Sequence, residues 1–531
     1  MKDNLLISIF FITIYTAYSY VFARNALHMF QQSRYEIKRY NKWLFNKNNI
    51  HFSVALIYFF LELVLFILTK LNILSINSKT ILLSMLITVC FTIYLVRKES
   101  NKHYIKDLVI TKRVIRQIIV YTILLVLTIY LYLYLSEDYF LAGILFTYIP
   151  YFLIYPMHLI TLPIEELIKK MYENNARGIL NEYDNLIKIG ITGSFGKTST
   201  KNIVNDIISN SFYTLITPSS FNTPMGITRT IREQLKPIHE VFVCEMGADK
   251  VGDISYLMDF VKPKYGIVTS IGEQHLATFK SIENIINEKM QEIEMLPEDG
   301  IGFINLDNSY IENYKINNKC KIVSVGVDNI NADYVASKIK YTSEGTSFTV
   351  KINGKNYKFK TVLLGKHNVT NILIGIALAI ELGIDIKQIV SSVEGISRIP
   401  HRLEVKKFYD MTLIDDAFNA NPVGSKRAID VLTLMSGKHI VCTPGMIDLG
   451  PKQDEYNYEF GKYMADKIDF ALLVGEKQTK SIVQGLKDAG FDSDNIIVFK
   501  DVRDALNYAH TAFASSDTIL IENDLPDAFN V

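Results

Sequence analysis

Ile187–Thr200, IKIGITGSFGKTST, is the stretch from which the rest of the chain is read. A short apolar run, Ile187 to Ile191, ends in Thr192-Gly193-Ser194-Phe195-Gly196-Lys197-Thr198, and polar, helix-compatible residues follow from Ser199 to Asn205. Strand, glycine turn and helix make the physical form of a phosphate cradle. Glycines let the backbone turn tightly, so that successive N–H groups and a helix N-terminus point at an anion. Lys197 can reach terminal phosphates, and the Thr198 hydroxyl can sit on Mg²⁺. The spacing is the shorter T-G-x-x-G-K-T, because position 191 is Ile where the longer motif has Gly. The expected ATP site is therefore Thr192, Gly193, Ser194, Phe195, Gly196, Lys197, Thr198 and Ser199.

At 531 residues the chain has room for about three domains of roughly 150 residues. A net charge of +1 gives no global field for nucleic acid. The four cysteines (Cys90, Cys244, Cys320, Cys442) are scattered without a CxxC, which speaks against a disulfide framework or zinc site.

The first 165 residues are mostly apolar and predict a transmembrane domain. Five segments can be drawn: Leu5–Phe22, Phe52–Thr69 with only Glu62 charged, Thr80–Val96, Ile118–Leu135, and Tyr139–Thr161 broken by Pro150 and Pro156. Each approaches the roughly 20 helical residues that a bilayer core requires. Basic residues crowd two loops, 24–50 and 97–117. The bias toward positive loops inside predicts an outside N-terminus, with the cradle in the cytoplasm. Glu62 is a polar group in an apolar span and so a candidate functional residue. Phe30–Asn48, basic and aromatic with the single Trp43, reads as an interfacial amphipathic helix or a solvated basic loop. A connecting helix is expected over 166–184, with Pro163 near its first turn.

Beyond the cradle, apolar runs alternate with helical stretches, which predicts an α/β architecture with parallel sheets. Val241–Cys244 reads as a strand ending at Glu245, a carboxylate placed to hold Mg²⁺. Tyr265–Ser270 is a second strand, followed by Ile271-Gly272-Glu273-Gln274-His275-Leu276, and Lys289 lies fourteen residues after His275. Phe303–Asn308 carries Asn305, residues 318–362 are β-rich, and Gly365-Lys366-His367-Asn368 opens a helix. After a domain junction come Arg402 and the run Asp415-Asp416-Ala417-Phe418-Asn419-Ala420-Asn421-Pro422, suited to ribose or phosphate contacts. Strand-like runs at His439–Thr443, Phe470–Val474, Asn495–Val498 and Thr518–Ile521 suggest a small Rossmann-like domain.

Taken in order, TGSFGKTS, EMGA, IGEQHL, the lysine after it, NLDN, GKHNVTN, HRLEV and DDAFNANP closely resemble the Mur ligases of the MurF type, which join D-alanyl-D-alanine to a UDP-N-acetylmuramoyl-tripeptide. The resemblance covers about residues 185 to 530. It implies a P-loop Mur ligase central domain at 185–397 and a Mur ligase C-terminal domain at 398–531. It implies that Lys197 and the 193–198 backbone hold the ATP phosphates, and that Thr198 and Glu245 ligate one Mg²⁺. His275 would ligate a second Mg²⁺ with Lys289, carbamoylated; Lys197, Lys289 and His275 would be catalytic. Asn305 would contact adenine, Arg402 and Asn421 phosphates, and Asp416 the ribose; Asn222, Thr223 and Asn419 are assigned to substrate. The implied reaction phosphorylates a carboxylate to an acyl phosphate, which an amine attacks to form an amide.

The departures concern substrate. The family's N-terminal domain for the UDP-sugar is replaced by the apolar segments. Its C-terminal Gly-Asp-Met gives way to Thr443-Pro444-Gly445-Met446, and its Lys-Gly-Ser to Ile521-Glu522-Asn523-Asp524-Leu525-Pro526. The expectation is an ATP-dependent carboxylate–amine ligase of peptidoglycan precursor synthesis at the cytoplasmic membrane face. Its partners would be a bilayer, a nucleotide- or lipid-linked cell-wall precursor, and an amino acid or dipeptide. The alternatives are an amide ligase acting on a lipid-linked surface glycan and, remotely, an ATP-driven transporter.

Overall fold

A computed structural model describes residues 2–46, 50–71, 73, 78–100, 107–135, 148–219, 221–274, 276–417, 421–447, 449 and 452–523. The chain divides into two compact units, Met1–Met171 and Tyr172–Val531.

The first unit is helical. Lys2–Gln32, Ile50–Lys70, Ser78–Ser100 and Lys112–Leu135 each contain one of the apolar segments drawn from the sequence. The fifth segment departs from expectation. Residues 139–147 lie outside the described residues, and the remainder forms a short turn of helix, Ile149–Phe152, and one long helix, Ile154–Glu182. Pro163 sits inside that helix, not at the start of a separate connector. A proline removes one N–H and crowds the carbonyl four residues earlier, but the leucines and isoleucines around it keep the flanking turns helical. Among the described residues, one helix is long and apolar enough by itself to cross a membrane, Lys112–Tyr132, with a mean hydropathy of 2.1; Leu82–Tyr94 is a shorter apolar run.

Aromatic side chains fill the centre of this unit: Tyr18, Phe22, Phe30, Tyr40, Tyr121 and Tyr151 are all buried. Trp43 and Tyr40 belong to a short helix, Ile37–Leu44, and pack against that centre. This part of the Phe30–Asn48 stretch is therefore a helix with an inward apolar face and not a solvated loop, because ring partners are available there: Tyr40 meets Phe30 and Trp43 meets Tyr151. Glu62 is buried, and its two carboxylate oxygens each accept from Ser84 Oγ at 2.9 Å.

The second unit contains two sheets. The larger has nine strands in the order β2-β3-β1-β4-β5-β6-β7-β8-β9. These are β1 (Ile187–Thr192), β2 (Thr214–Ile216), β3 (Val241–Glu245), β4 (Tyr265–Val268), β5 (Ile301–Asn305), β6 (Lys321–Gly326), β7 (Tyr334–Thr342), β8 (Gly345–Ile352) and β9 (Lys355–Thr361). Strands up to the β6–β7 pair are parallel, and β7–β8–β9 are antiparallel. The near-continuous apolar runs of β1, β3, β4 and β5 follow from burial on both faces. The smaller sheet runs β10-β11-β15-β12-β13-β14: β10 (Glu404–Phe408), β11 (Met411–Asp416), β12 (His439–Thr443), β13 (Phe470–Val474), β14 (Ile496–Phe499) and β15 (Thr518–Glu522). Only β10 is antiparallel. β1 and β3, adjacent and parallel, end at Thr192 and Glu245, so the glycine turn and the carboxylate emerge at one edge.

Candidate active site

The cradle forms as its sequence requires. Gly193 has φ +147°, and a Cβ there would lie 2.2 Å from Thr269 Oγ1. Gly196 has φ +86°, the left-handed region, and ends the turn as the N-cap of helix Lys197–Ile208. No side chain caps that helix, so its first N–H groups are left for an anion. Several bonds fasten the loop to β4 and its extension, among them Ser194 N to Ser270 O (2.7 Å), Thr269 Oγ1 to Phe195 O (2.5 Å) and Ser194 Oγ to Gly272 O (3.0 Å). Thr192 belongs to the frame, not to the ligand surface, since its hydroxyl is buried and donates to Met246 O at 2.9 Å. The ammonium of Lys197 turns back onto the carbonyls of Gly193 (2.7 Å) and Ser194 (3.1 Å). Burial lowers its pKa, against the pull of Glu245.

Glu245 collects the predicted metal-side residues. Its Oε1 accepts from Thr198 Oγ1 at 3.2 Å and from Asn222 Nδ2 at 3.1 Å. Its Oε2 accepts from Lys201 Nζ at 3.0 Å, with both side chains 1% exposed. A hydroxyl and a carboxylate side by side form a hard oxygen donor pair, which fits Mg²⁺. The sequence reading missed Lys201, although its place three residues after Thr198, on the same helix face, was the available signal. Asn222 thus lies against the metal-side carboxylate, while Thr223 is a structural N-cap, accepting from Gly226 N at 3.3 Å. His275 and Asn419 lie outside the described residues.

Lys289 is 2% exposed on helix Ile282–Glu294. Burial, reinforced by the positive charge of Lys197, pulls its pKa down to about 7. One turn on, Glu292 is fully buried, and neither carboxylate oxygen has a hydrogen-bond partner. Burial pushes its pKa up to about 8.

Beside the cradle a cavity of about 430 Å³ is lined by both sheets' domains. The larger contributes Phe195, Gly196, Ser199 and Asn305; the smaller contributes Arg402, Asp416 and Asn421. Asn305 donates to Thr269 O (3.1 Å) and accepts from Asp307 N (3.0 Å), which fixes its carboxamide at the cavity wall. Asp416, at the end of β11, accepts from Leu403 N at 3.1 Å. Asn421 caps the helix Pro422–Leu432 by accepting from Gly424 N at 2.7 Å. Among the described residues no group hydrogen-bonds the Arg402 guanidinium, whose pKa burial lowers while Asp416 and Glu245 raise it. It is a cation held ready for an anion.

Two further contacts, unforeseen in the sequence, join the domains across this cavity. Glu273 of the larger accepts from Tyr456 OH at 2.6 Å and pairs with Lys452 at 3.2 Å. A separate polar group, His401, Glu404 and Asp415, is engaged with Lys406.

Comparison with known proteins agrees with this geometry. Residues 191–379 match the Mur ligase middle domain, and 401–522 the Mur ligase, glutamate ligase domain. The chain is 29% identical over 351 residues to the UDP-N-acetylmuramoyl-tripeptide–D-alanyl-D-alanine ligase of Bacillus subtilis (strain 168), covering 65% of this chain and 75% of that one. It is 30% identical to the ligase of the same name from Buchnera aphidicola subsp. Baizongia pistaciae, covering 60% and 70%. In fold it resembles the MurF ligase of Thermotoga maritima in complex with ADP, with TM-score 0.60 and 22% identity over 67% of this chain and 80% of that one. With both family domains matched in order along the chain, the chain belongs to the Mur ligase family of ATP-dependent amide-bond-forming enzymes.

Proposed function

We propose that this chain is a MurF-like ligase that uses ATP to join an amine to the carboxylate of a peptidoglycan precursor, at the cytoplasmic face of a membrane. The observation that carries the chemistry is the convergence of Phe195 and Gly196 of the cradle with Arg402 on one cavity, from the two domains. ATP would lie with its base toward Asn305 and its ribose toward Asp416. Its terminal phosphate would be held by the loop N–H groups, Lys197 and Arg402. Thr198 and Glu245 would hold Mg²⁺, which supplies charge neutralisation at the transferring phosphoryl group.

The carboxylate of the acceptor attacks the γ-phosphorus and ADP leaves. The amine then attacks the acyl carbon, phosphate leaves, and the amine's proton passes to solvent or a base. Lys289, partly uncharged near neutral pH, would add CO₂ and lose a proton, turning a cation into an anionic carbamate. The Glu273–Tyr456 and Glu273–Lys452 contacts hold the domains together over the cavity, which excludes water from a labile acyl phosphate.

The membrane reading is supported by the helical unit's outward faces. Ile57, Phe60, Val64, Leu82, Leu86, Ile119 and Ile123 are all more than half exposed, so these helices present apolar stripes of the kind that mark an interaction surface. With that unit standing ahead of the cradle, a lipid-linked acceptor is favoured over a soluble one, because a shared bilayer raises its local concentration. The test is phosphate release from ATP by the full-length protein. D-alanyl-D-alanine and single amino acids are crossed with UDP-muramoyl-tripeptide and its lipid-linked counterpart, with product identification by mass spectrometry. Turnover only with the lipid-linked acceptor supports the proposal in full. Turnover with the soluble precursor retains the ligase and removes the membrane requirement. Silence with both moves the acceptor to another surface glycan.

A further inference from the structure

The antiparallel end of the large sheet carries a second functional surface. In β7, β8 and β9 the inward residues Ala336, Phe348, Val350, Ile352 and Phe359 join the core. Cross-strand register places the residues that alternate with these in β8 and β9, and their partners in β7, on the opposite face. Ser337, Thr349 and Lys358 form one row, Lys340, Ser347 and Lys360 a second, and Lys351 pairs with Asn356 in a third. Lys338, in the irregular step of β7, adds one more exposed ammonium group, whereas Lys355, opposite the buried Ile352, belongs to the other face. The three strands contain six lysines and not one Asp or Glu. Among the described residues, none of the six forms an ion pair.

Edge protection explains part of this pattern, since lysines on β9, the last strand of the sheet, discourage pairing with other chains. It does not explain Lys351, which lies on β8 between β7 and β9. The face has small hydroxyl residues between the lysines, and no arginine or tryptophan. It therefore lacks the bidentate donors that read phosphates or bases individually and the outward rings that stack on bases. Compact, mobile point charges on a flat sheet suit a diffuse anionic surface.

We infer that the outer face of β7–β9 docks on the anionic headgroups of the bilayer in which the helical unit is held. The inference rests on the membrane reading above. Tethering by that unit makes docking an intramolecular event, so weak individual attractions suffice. Docking would orient the catalytic unit relative to the membrane surface.

The test uses the full-length protein in lipid nanodiscs. Cys90, the one exposed native cysteine among the four, is replaced (Cys90→Ser), and Ser337→Cys carries a fluorescent donor. Discs of neutral phosphatidylcholine are compared with discs containing about 30% phosphatidylglycerol, each with a headgroup acceptor dye. Energy transfer is expected to rise about threefold or more in anionic discs and to fall back in about 0.5 M salt. It is expected to be lost in Lys340→Glu/Lys351→Glu/Lys358→Glu/Lys360→Glu, whose solvated positions leave folding intact. Equal transfer in neutral and anionic discs overturns the inference, as does tighter binding of a single-stranded oligonucleotide to this face. Failure of the membrane reading is separately visible, because the protein would then elute apart from the discs.

Discussion

Lys201 Nζ lies 3.0 Å from Glu245 Oε2, and both side chains are almost wholly buried. The same ammonium donates to Ser219 O at 2.6 Å, on a residue with φ +45°. One lysine thus ties together the cradle helix, the carboxylate at the end of β3 and the loop that carries Asn222. Such a pair is costly to break from one side, because the remaining charge stays buried without its partner. Lys201→Met is expected to lower stability by about 3–5 kcal/mol. Lys201→Met/Glu245→Gln should recover much of that loss, while nucleotide turnover stays lost in both. Denaturant unfolding of the two variants checks this; an equally unstable double variant would show that the pair is not the source.

Gly193 has no room for a side chain. An added Cβ would meet Thr269 Oγ1 at 2.2 Å and Ser270 O at 3.0 Å, in a backbone conformation that L-residues avoid. Gly193→Ala is expected to shift the loop away from β4 and weaken ADP binding at least about 100-fold, about 2.7 kcal/mol. Overall stability should change less, since the loop is at the surface end of the sheet. Calorimetric titration with ADP, set beside a melting curve, separates the two.

The bonds from Glu273 to Tyr456 and Lys452 join the two domains across the cavity. Glu273 and Lys452 are partly exposed, at 27% and 49%, so solvent screens the ion pair and the tyrosine bond is the stronger element. Tyr456→Phe is expected to raise the KM for ATP about fivefold, with kcat little changed when ATP saturates and with an unaltered melting temperature. A rise in KM for the amine alone would assign Tyr456 to the substrate instead.

Much of this was legible in the sequence, for physical reasons that differ by residue. The cradle declares itself because glycine spacing and a Gly-Lys-Thr step have few other uses, and Glu245 follows because a buried strand rarely ends in a carboxylate without cause. Lys201 was not legible. A lysine on a helix reads as solvated until a neighbouring strand places Glu245 against it. Glu273 looked like part of the IGEQHL loop, and only the folded domains bring it to Tyr456, 183 residues away. Pro163 was read as a boundary, because local rules cannot register how strongly its neighbours favour helix. The Phe30–Asn48 stretch was ambiguous for the same reason: its inward face is decided by rings on other helices.

Glu292 gives a pH dependence whose sign can be stated. Its carboxyl is fully buried beside β1, where a Cβ on Gly190 would meet Oε1 at 1.9 Å, and burial raises its pKa to about 8 from 4.5. Between these values the folded chain holds a proton that the unfolded chain has released. Stability is therefore intact below the unfolded value, falls as pH rises from about 4.5 to 8, and is constant above. Glu292→Gln removes the titration but keeps the shape. Its amide also lacks partners, which adds a cost independent of pH. Relative to the parent, the variant should thus gain on the order of a few kcal/mol between pH 4.5 and pH 8.5. Chemical unfolding at these two values measures the difference; a gain of the same size at both would mean that Glu292 does not titrate in this range.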